Sequence, residues 1–160
     1  MSGSRPLAAR VSSILRGRLW DGFVRGHRAV YRLSGGRIGH RIPGGAPVLL
    51  LDHVGRKSGK RRASPLLYLE HGEDLVVIAS KGGSPRHPAW WLNLRDHPET
   101  TVQVGSRKLQ VVARQANPEE KARLWPPIVE MWPDYDAYQR RTKRDIPVVI
   151  LSPVPTSGDG

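Results

Sequence analysis

Short strand-like runs joined by tight links constrain the fold of this chain more than any other feature. Six apolar or alternating runs predict strands, at residues 48–54, 62–70, 75–80, 100–104, 108–114 and 147–151. Turn residues separate several of them, such as the glycine-containing link 55–60 and the segment 71–74. Strict alternation of strand and helix is missing, which argues against a Rossmann fold. The pattern therefore predicts an antiparallel barrel or sandwich.

The N-terminal region and three shorter segments are predicted to be helical. Apolar residues recur at every fourth position from Leu7 to Phe23, which predicts a helix within residues 6–33, broken near Asp21–Gly22. Residues 87–96, 117–131 and 134–142 predict three short helices, the second capped by Asn117. We therefore expect a basic N-terminal helix and linker (residues 1–45), a strand-rich domain (46–153) and a flexible tail (154–160).

The positive charge lies in two segments. The formal net charge is +12, of which residues 1–41 contribute +8 and residues 52–62 contribute +4. Each segment predicts an anionic partner, which is nucleic acid, anionic lipid or a polyanionic small molecule.

Several classes of chemistry are excluded or disfavoured. The chain contains no cysteine, which rules out disulfides, iron–sulfur clusters and a cysteine nucleophile. Its six histidines show neither HxH nor HxxxH spacing, so no metal site is predicted. The sequence has no apolar run long enough to span a membrane and no apolar signal-peptide core at its start, which predicts a cytoplasmic protein.

Residues 55–62 (Gly-Arg-Lys-Ser-Gly-Lys-Arg-Arg) form the shorter basic segment, in a turn between two predicted strands. Glycines expose backbone N–H groups to an anion and the side chains add charge, so the segment is either a solvated hairpin or an anion site. It is not a Walker A loop, because the glycine spacing differs and a strand follows.

Three further motifs each have an ordinary structural explanation and a functional one. Ala79-Ser80-Lys81-Gly82-Gly83 is a common turn or a close approach to a planar ligand. Trp90 and Trp91 point about 100° apart on a helix, so we expect one in the core and one at a pocket wall. Trp132, Tyr135 and Tyr138 share a spacing of three, which is typical of core packing or of a lid over a flat substrate.

The ordered set of motifs resembles the deazaflavin-dependent nitroreductase family over residues 29–153. The matching segments are 31–39, Gly55-Arg56-Lys57-Ser58-Gly59, Pro65-Leu66-Leu67-Tyr68, Ala79-Ser80-Lys81-Gly82-Gly83, Pro88-Ala89-Trp90-Trp91-Leu92-Asn93-Leu94 and Ile146-Pro147-Val148-Val149. The resemblance implies a mainly β (α+β) split β-barrel of the FMN-binding type. It also implies hydride transfer from reduced coenzyme F420 to a quinone or nitroaromatic acceptor. FMN is the less favoured cofactor, because the basic turn suits the phosphodiester and glutamates of the F420 tail.

The resemblance assigns roles residue by residue. The cofactor tail is assigned to Arg56, Lys57, Ser58, Lys60 and Arg62, with Arg61 nearby. The ring is assigned to Ala63, Ser64, Pro65, Leu66, Leu67, Ile78, Ala79, Ser80, Lys81, Ala89, Trp90, Trp91, Leu92, Asn93 and Tyr135. Ser80, Tyr135 and Tyr138 are the expected catalytic residues, Ser80 bonding a ring or substrate oxygen and the tyrosines positioning the acceptor.

Some positions depart from the family pattern. Asp52-His53-Val54 stands where relatives often have threonines before the basic turn. Leu67 and Trp132 stand where a nitroimidazole-reducing type has tyrosines. These differences concern the substrate side.

Two other classes of function remain open from the sequence. One is a relative that binds a cofactor, or another ligand such as haem, without turnover. The other is a nucleic-acid-binding protein, although no RNP, zinc-finger or helix-turn-helix signature is present. The N-terminal helix is expected either to pack on the barrel or to lie on the anionic inner face of the cell membrane.

Overall fold

The computed structural model describes residues 45–155 together with Arg28 and Arg32, both of which are helical. The strands are β1 Val48–Val54, β2 Arg61–His71, β3 Asp74–Ile78, β4 Glu99–Val104, β5 Arg107–Gln115 and β6 Val148–Pro153. They form one closed barrel in the order β1-β2-β3-β6-β5-β4, with antiparallel neighbours throughout. This confirms the predicted barrel, with strand ends within two residues of those expected. The rest of the predicted N-terminal helix and linker, and residues 156–160 of the tail, lie outside the described residues.

Alternation along β1 shows how the sequence builds the barrel wall. Leu49 and Leu51 point into the interior cluster, whereas Leu50 packs with Ala63 on the outer face. Strand β3 is buried on both faces because helices cover its outer side. Closure of the sheet also removes the unpaired strand edges.

Besides the helical residues Arg28 and Arg32, the described fold contains the α-helices α1 Ala89–Asp96, α2 Pro118–Met131 and α3 Asp134–Arg141. A capping box between Asn117 and Glu120 begins α2. Helices α2 and α3 contribute Leu124, Ile128 and Tyr135 to the outer cluster over β3 and β6. None of the helices within the described part of the chain has the length and apolar character that a membrane crossing requires.

Helix α1 packs against the barrel interior. Trp90, Trp91 and Leu94 all belong to the interior cluster, and the two indole rings meet edge to face at 6.4 Å. The expectation that only one tryptophan lies in the core is therefore wrong. The helix contacts both β1 and β5, and both indole side chains are buried.

The strand registers bring four segments to one end of the barrel. These are the β1–β2 turn, the loop after β3, helix α1 before β4, and the loop before β6. The β4–β5 hairpin at Gly105 lies at the opposite end, since β1 and β4 are antiparallel. The motifs of the candidate site therefore meet at one end, which we call the site end.

Candidate functional site

The basic turn, residues 55–60, is a compact hairpin loop with outward-facing cations. Gly55 N–H donates to the Lys60 carbonyl at 2.9 Å, and Gly59 N–H donates to the Gly55 carbonyl at 2.8 Å. A Cβ at residue 55 would lie 2.5 Å from Ser58 Oγ, so the glycine keeps the loop closed. The Arg56 and Lys57 side chains are exposed, as are residues 58–62. The turn therefore presents a concentrated positive charge to an anion.

A chain of hydrogen bonds, buried at its centre and part-buried at both ends, ties the basic turn to helix α1. Arg56 N–H donates to Asn93 Oδ1 at 3.0 Å, and Asn93 Nδ2 lies 2.9 Å from His53 Nδ1. His53 Nε2 lies 3.0 Å from Ser64 Oγ. The family motifs predict Asn93 and Ser64 as site residues, whereas His53 departs from the family pattern. We call these contacts the polar chain.

His53 is a neutral imidazole in this setting. Burial, then the positive charges of Arg62 and Arg28, lower its pKa to about 4. Because its ring is uncharged at neutral pH, one ring nitrogen donates and the other accepts.

The loop after β3, residues 79–84, contains the predicted glycine motif and includes a short 3-10 turn at Lys81–Gly83. We call it the Ser80 loop. Lys81 adopts a left-handed backbone conformation with φ of 46° and is exposed. Ser80 is 8% exposed, and within the described residues its hydroxyl has no hydrogen-bond partner. A buried hydroxyl without a partner fits a role in binding a polar atom of a ligand.

Arg144, which the sequence did not identify, organises the Ser80 loop. Its guanidinium donates to the carbonyls of Ala79, Ser80 and Ser84, with a shortest distance of 2.7 Å to Ser80. One of its Nη atoms also lies 3.2 Å from His87 Nδ1. Burial lowers the pKa of Arg144 from its usual range. Its partners lie 57 to 65 residues away in the chain, so no local pattern marks it.

Helix α3 contacts the Ser80 loop at Gly83. A Cβ at this glycine would lie 2.6 Å from the Tyr138 carbonyl oxygen. The Arg141 guanidinium lies 5.6 Å from the Tyr138 ring centre and 3.5 Å from the Gly82 carbonyl oxygen. The structure therefore places the Tyr138 backbone against the loop that carries Ser80.

The two predicted tyrosines differ in exposure. Their rings meet edge to face at 5.9 Å, which confirms that they share a helix face. Tyr135 is buried in the outer cluster, and burial, followed by the proximity of Tyr138, raises the pKa of its hydroxyl above the usual range. Tyr138 is only partly buried and is the one of the pair more open to an acceptor. Trp132 packs in the same cluster but ends helix α2 instead of belonging to α3.

The predicted ring-binding segment of β2 is divided between two faces. By register, Ser64 and Leu66 pair with the inward residues Leu51 and Leu49, and Leu66 packs on the interior cluster. Ala63 packs on the outer face with Leu50, and Leu67 packs on the outer cluster. Predicted ring-binding residues outside β2 are divided in the same way between the two clusters. Ala79, Trp90 and Trp91 belong to the interior cluster and Ile78 belongs to the outer cluster. Ala89 is exposed and Leu92 is half-buried. One ring therefore cannot contact all these side chains on one face.

A charged cleft of about 530 Å³ opens on the outer side of the barrel at the site end. Its lining includes Arg28, Arg32, Arg61 and Arg62, against the acids Asp52 and Glu99. Arg32 forms an exposed ion pair with Asp52, which links this helical residue to β1. Ser80, Tyr135 and Tyr138 do not line the cleft. It therefore extends the basic turn and not the tyrosine side of the site.

The residues at the site end fit a cofactor with a planar ring and an anionic tail. The basic turn carries exposed cations, and the glycine-containing Ser80 loop carries a buried hydroxyl that has no partner among the described residues. Among the described residues, no group of three or more histidines and acids is placed to hold a metal ion. The barrel and the residues at its site end agree with the split-barrel, deazaflavin-binding class that the motifs predict.

Comparison with known proteins identifies the family. The sequence model of the F420H(2)-dependent quinone reductase family matches residues 23–153. An F420H(2)-dependent quinone reductase of Mycobacterium tuberculosis is 43% identical over 132 residues, which are 81% of this chain and 89% of the relative. The chain belongs to the F420H(2)-dependent quinone reductase family.

Two solved structures are similar to this chain, and the first of them is named as a reductase that uses the same cofactor. An F420-H2 dependent reductase has a TM-score of 0.61 and 40% identity, covering 66% of this chain and 94% of that one. A domain-swapped dimer has a TM-score of 0.64 and 32% identity, covering 88% and 98% of the two chains. The predicted family, split-barrel fold, oxidoreductase class and F420 cofactor are thereby confirmed.

Proposed function

We propose that this protein oxidises reduced coenzyme F420 and passes the hydride to a quinone. The observation that carries the proposal is the exposed basic turn, which the buried Asn93 side chain fixes at the site end of the barrel. Membership of the quinone reductase family supports the acceptor class. Nitroaromatic compounds are the second acceptor class that we propose, from the resemblance of the motifs.

The basic turn and the charged cleft would hold the cofactor tail. Arg56, Lys57 and Lys60 face solvent, and Arg62 belongs both to the surroundings of Gly55 and to the cleft lining. Charge-assisted hydrogen bonds to phosphate and carboxylate oxygens are stronger and shorter than neutral ones. The two surfaces thus form one basic path for an elongated anion.

The Ser80 loop and helix α3 would position the acceptor. When bound, the reduced deazaflavin supplies the hydride, so the protein needs neither a thiol nor a metal for the redox step. Ser80 offers a buried hydroxyl to a ring or acceptor oxygen, and Tyr138 borders the loop. Tyr135 supports Tyr138 from the core and would contact ligand less directly. Holding donor and acceptor in contact and excluding water is the contribution of these residues.

A titration tests the proposed activity. Purified protein is titrated with reduced F420 and, separately, with FMN, followed by tryptophan fluorescence, and menadione is then added. We expect binding of F420 with acceptor-dependent oxidation and no binding of FMN. Binding without oxidation would instead support a ligand carrier, and a lack of F420 binding would contradict the function.

The role of the basic turn gives a prediction for Arg56→Gln. The variant removes one exposed charge while the Arg56 backbone N–H still bonds Asn93. We expect the Kd for F420 at low salt to rise about tenfold, because a charge-assisted hydrogen bond is lost. The matched control is Arg107→Gln, which removes an exposed arginine at the opposite end of the barrel. The control should change the Kd by less than about twofold, and an equal effect of both variants would contradict the tail site.

We also propose that the N-terminal region binds anionic membrane from the cytoplasmic side, where a bilayer-dissolved quinone is accessible. Arg28 and Arg32 line the charged cleft, so lipid contact would come from the arginines that precede them. Each basic residue near an anionic surface contributes about 1 kcal/mol. We expect flotation of the protein with phosphatidylserine-containing vesicles at low salt, and loss of flotation with Arg16→Gln/Arg18→Gln. Neutral vesicles are the control, and no flotation with either vesicle would contradict this proposal.

A further inference from the structure

The polar chain has a single direction of hydrogen-bond donation. Arg56 N–H can only donate, so the atom of Asn93 that it contacts is the carbonyl oxygen Oδ1. The amide nitrogen Nδ2 then faces His53 Nδ1, and an amide nitrogen donates but does not accept. His53 Nδ1 is therefore the acceptor, and the ring proton lies on Nε2.

The same logic extends to Ser64. His53 Nε2–H donates to Ser64 Oγ at 3.0 Å, which uses a lone pair of the hydroxyl and leaves its proton free. Among the described residues, His53 is the one hydrogen-bond partner of the Ser64 side chain. Ser64 is half-buried and lies on the inward face of β2. Donation in one direction along a chain polarises each successive group and strengthens the last donor.

We propose that His53 is a positioning residue that makes the Ser64 hydroxyl a directed hydrogen-bond donor to an oxygen acceptor of the bound deazaflavin cofactor. This inference rests on the proposed function, since it concerns how the same cofactor is recognised. The polar chain also couples the proposed site of the cofactor tail to that of the ring, because Asn93 hydrogen-bonds both the basic turn and the His53 ring.

The neutral state of His53 agrees with this arrangement. Burial together with Arg62 and Arg28 disfavours the imidazolium, and an imidazolium would place a second proton against the Asn93 amide. The polar chain therefore keeps one tautomer at neutral pH.

The first test needs no ligand. Nitrogen-15 NMR of the imidazole groups in the full-length protein distinguishes the two neutral tautomers. We expect His53 to be protonated at Nε2 and unprotonated at Nδ1. Protonation at Nδ1, or a cationic ring at neutral pH, would overturn the proposal.

The second test measures F420 affinity by fluorescence titration of four variants. Ser64→Ala should raise the Kd about tenfold, because it removes the hydrogen bond to the cofactor. His53→Phe leaves the Ser64 hydroxyl but removes the bond that directs it, so it should raise the Kd by at most the same factor. The double variant should match Ser64→Ala, because His53 acts only through the Ser64 hydroxyl. His53→Gln retains an amide donor and should stay within about threefold of wild type. Thermal unfolding of each variant separates a loss of fold from a loss of recognition.

The outcomes separate this inference from the proposed function. Wild-type protein that binds no F420 contradicts the proposed function itself. If wild-type protein binds F420 and Ser64→Ala has an unchanged Kd, only the role of His53 is contradicted. The same holds if the increases in Kd of the two single variants multiply in the double variant. If His53→Phe does not fold, His53→Gln replaces it in the comparison. Its effect on the Kd for F420 is measured in wild-type protein and in the Ser64→Ala variant. The proposal requires that the effect be absent in the Ser64→Ala variant.

Discussion

Replacing Arg144 with methionine is expected to reduce the free energy of unfolding by about 3 kcal/mol or more and to remove most turnover. The guanidinium is the shared donor for the carbonyls of Ala79, Ser80 and Ser84. Methionine keeps much of the apolar stem but has no donor. The Ser80 carbonyl would still accept from the Gly83 N–H, whereas the Ala79 and Ser84 carbonyls would lose the Arg144 donor, and each acceptor left without a partner costs about 1–3 kcal/mol. Urea denaturation measures the stability and steady-state kinetics with F420 measure the turnover.

The stability loss and the activity loss have the same origin. Two of the three carbonyls belong to residues assigned to the cofactor ring, so the Ser80 loop would lose its fixed backbone path. Arg144→Lys should recover only part of both quantities, because one ammonium group does not match the fork geometry of a guanidinium.

Arg141→Met is the matched control for Arg144. Arg141 is exposed and makes one long contact to the Gly82 carbonyl and a cation–π contact with Tyr138. We expect it to cost less than about 1 kcal/mol of stability. Equal losses in the two variants would show that the Arg144 contacts do not organise the loop.

Gly83→Ala is expected to separate the Ser80 loop from helix α3. The residue has φ of 76°, and an alanine Cβ would lie 2.6 Å from the Tyr138 carbonyl oxygen and 3.0 Å from its Cα. The left-handed conformation alone costs about 1–2 kcal/mol with a side chain, and the clash with backbone atoms adds to it. We expect a loss of about 3 kcal/mol in the free energy of unfolding and a rise in KM for the quinone.

The neighbouring glycine provides the control. Gly82 also has positive φ, at 62°, but a Cβ there meets nothing within 4 Å. Gly82→Ala should therefore show only the conformational cost of about 1 kcal/mol and a nearly unchanged KM. The difference in free energy of unfolding between Gly83→Ala and Gly82→Ala measures the contribution of the contact with α3. Equal losses of stability and equal KM values in the two variants would contradict the importance of this contact.

The candidate site was only partly predictable from the sequence. The basic turn and the glycine loop are contiguous motifs, so the sequence alone predicts their residues. The spacing of Tyr135 and Tyr138 gave their shared face, but not that Tyr135 is the buried member of the pair. His53 was visible only as an unusual residue before the turn, because its partners Ser64 and Asn93 lie 11 and 40 residues away.

Local patterns determined the secondary structure of this protein, since alternation, glycine turns and helix caps act between residues close in the chain. They determined the six strands and, with the ordered motifs, the family. Only the tertiary structure decided how those elements share space. Packing of helix α1 on the barrel buried both tryptophans, and the pairing of β2 divided Ala63–Leu67 between two faces. The fold also brought the Arg144 guanidinium into contact with the carbonyls of the Ser80 loop. Burial and hydrogen bonding at these positions depend on residues distant in sequence, which a local pattern does not encode.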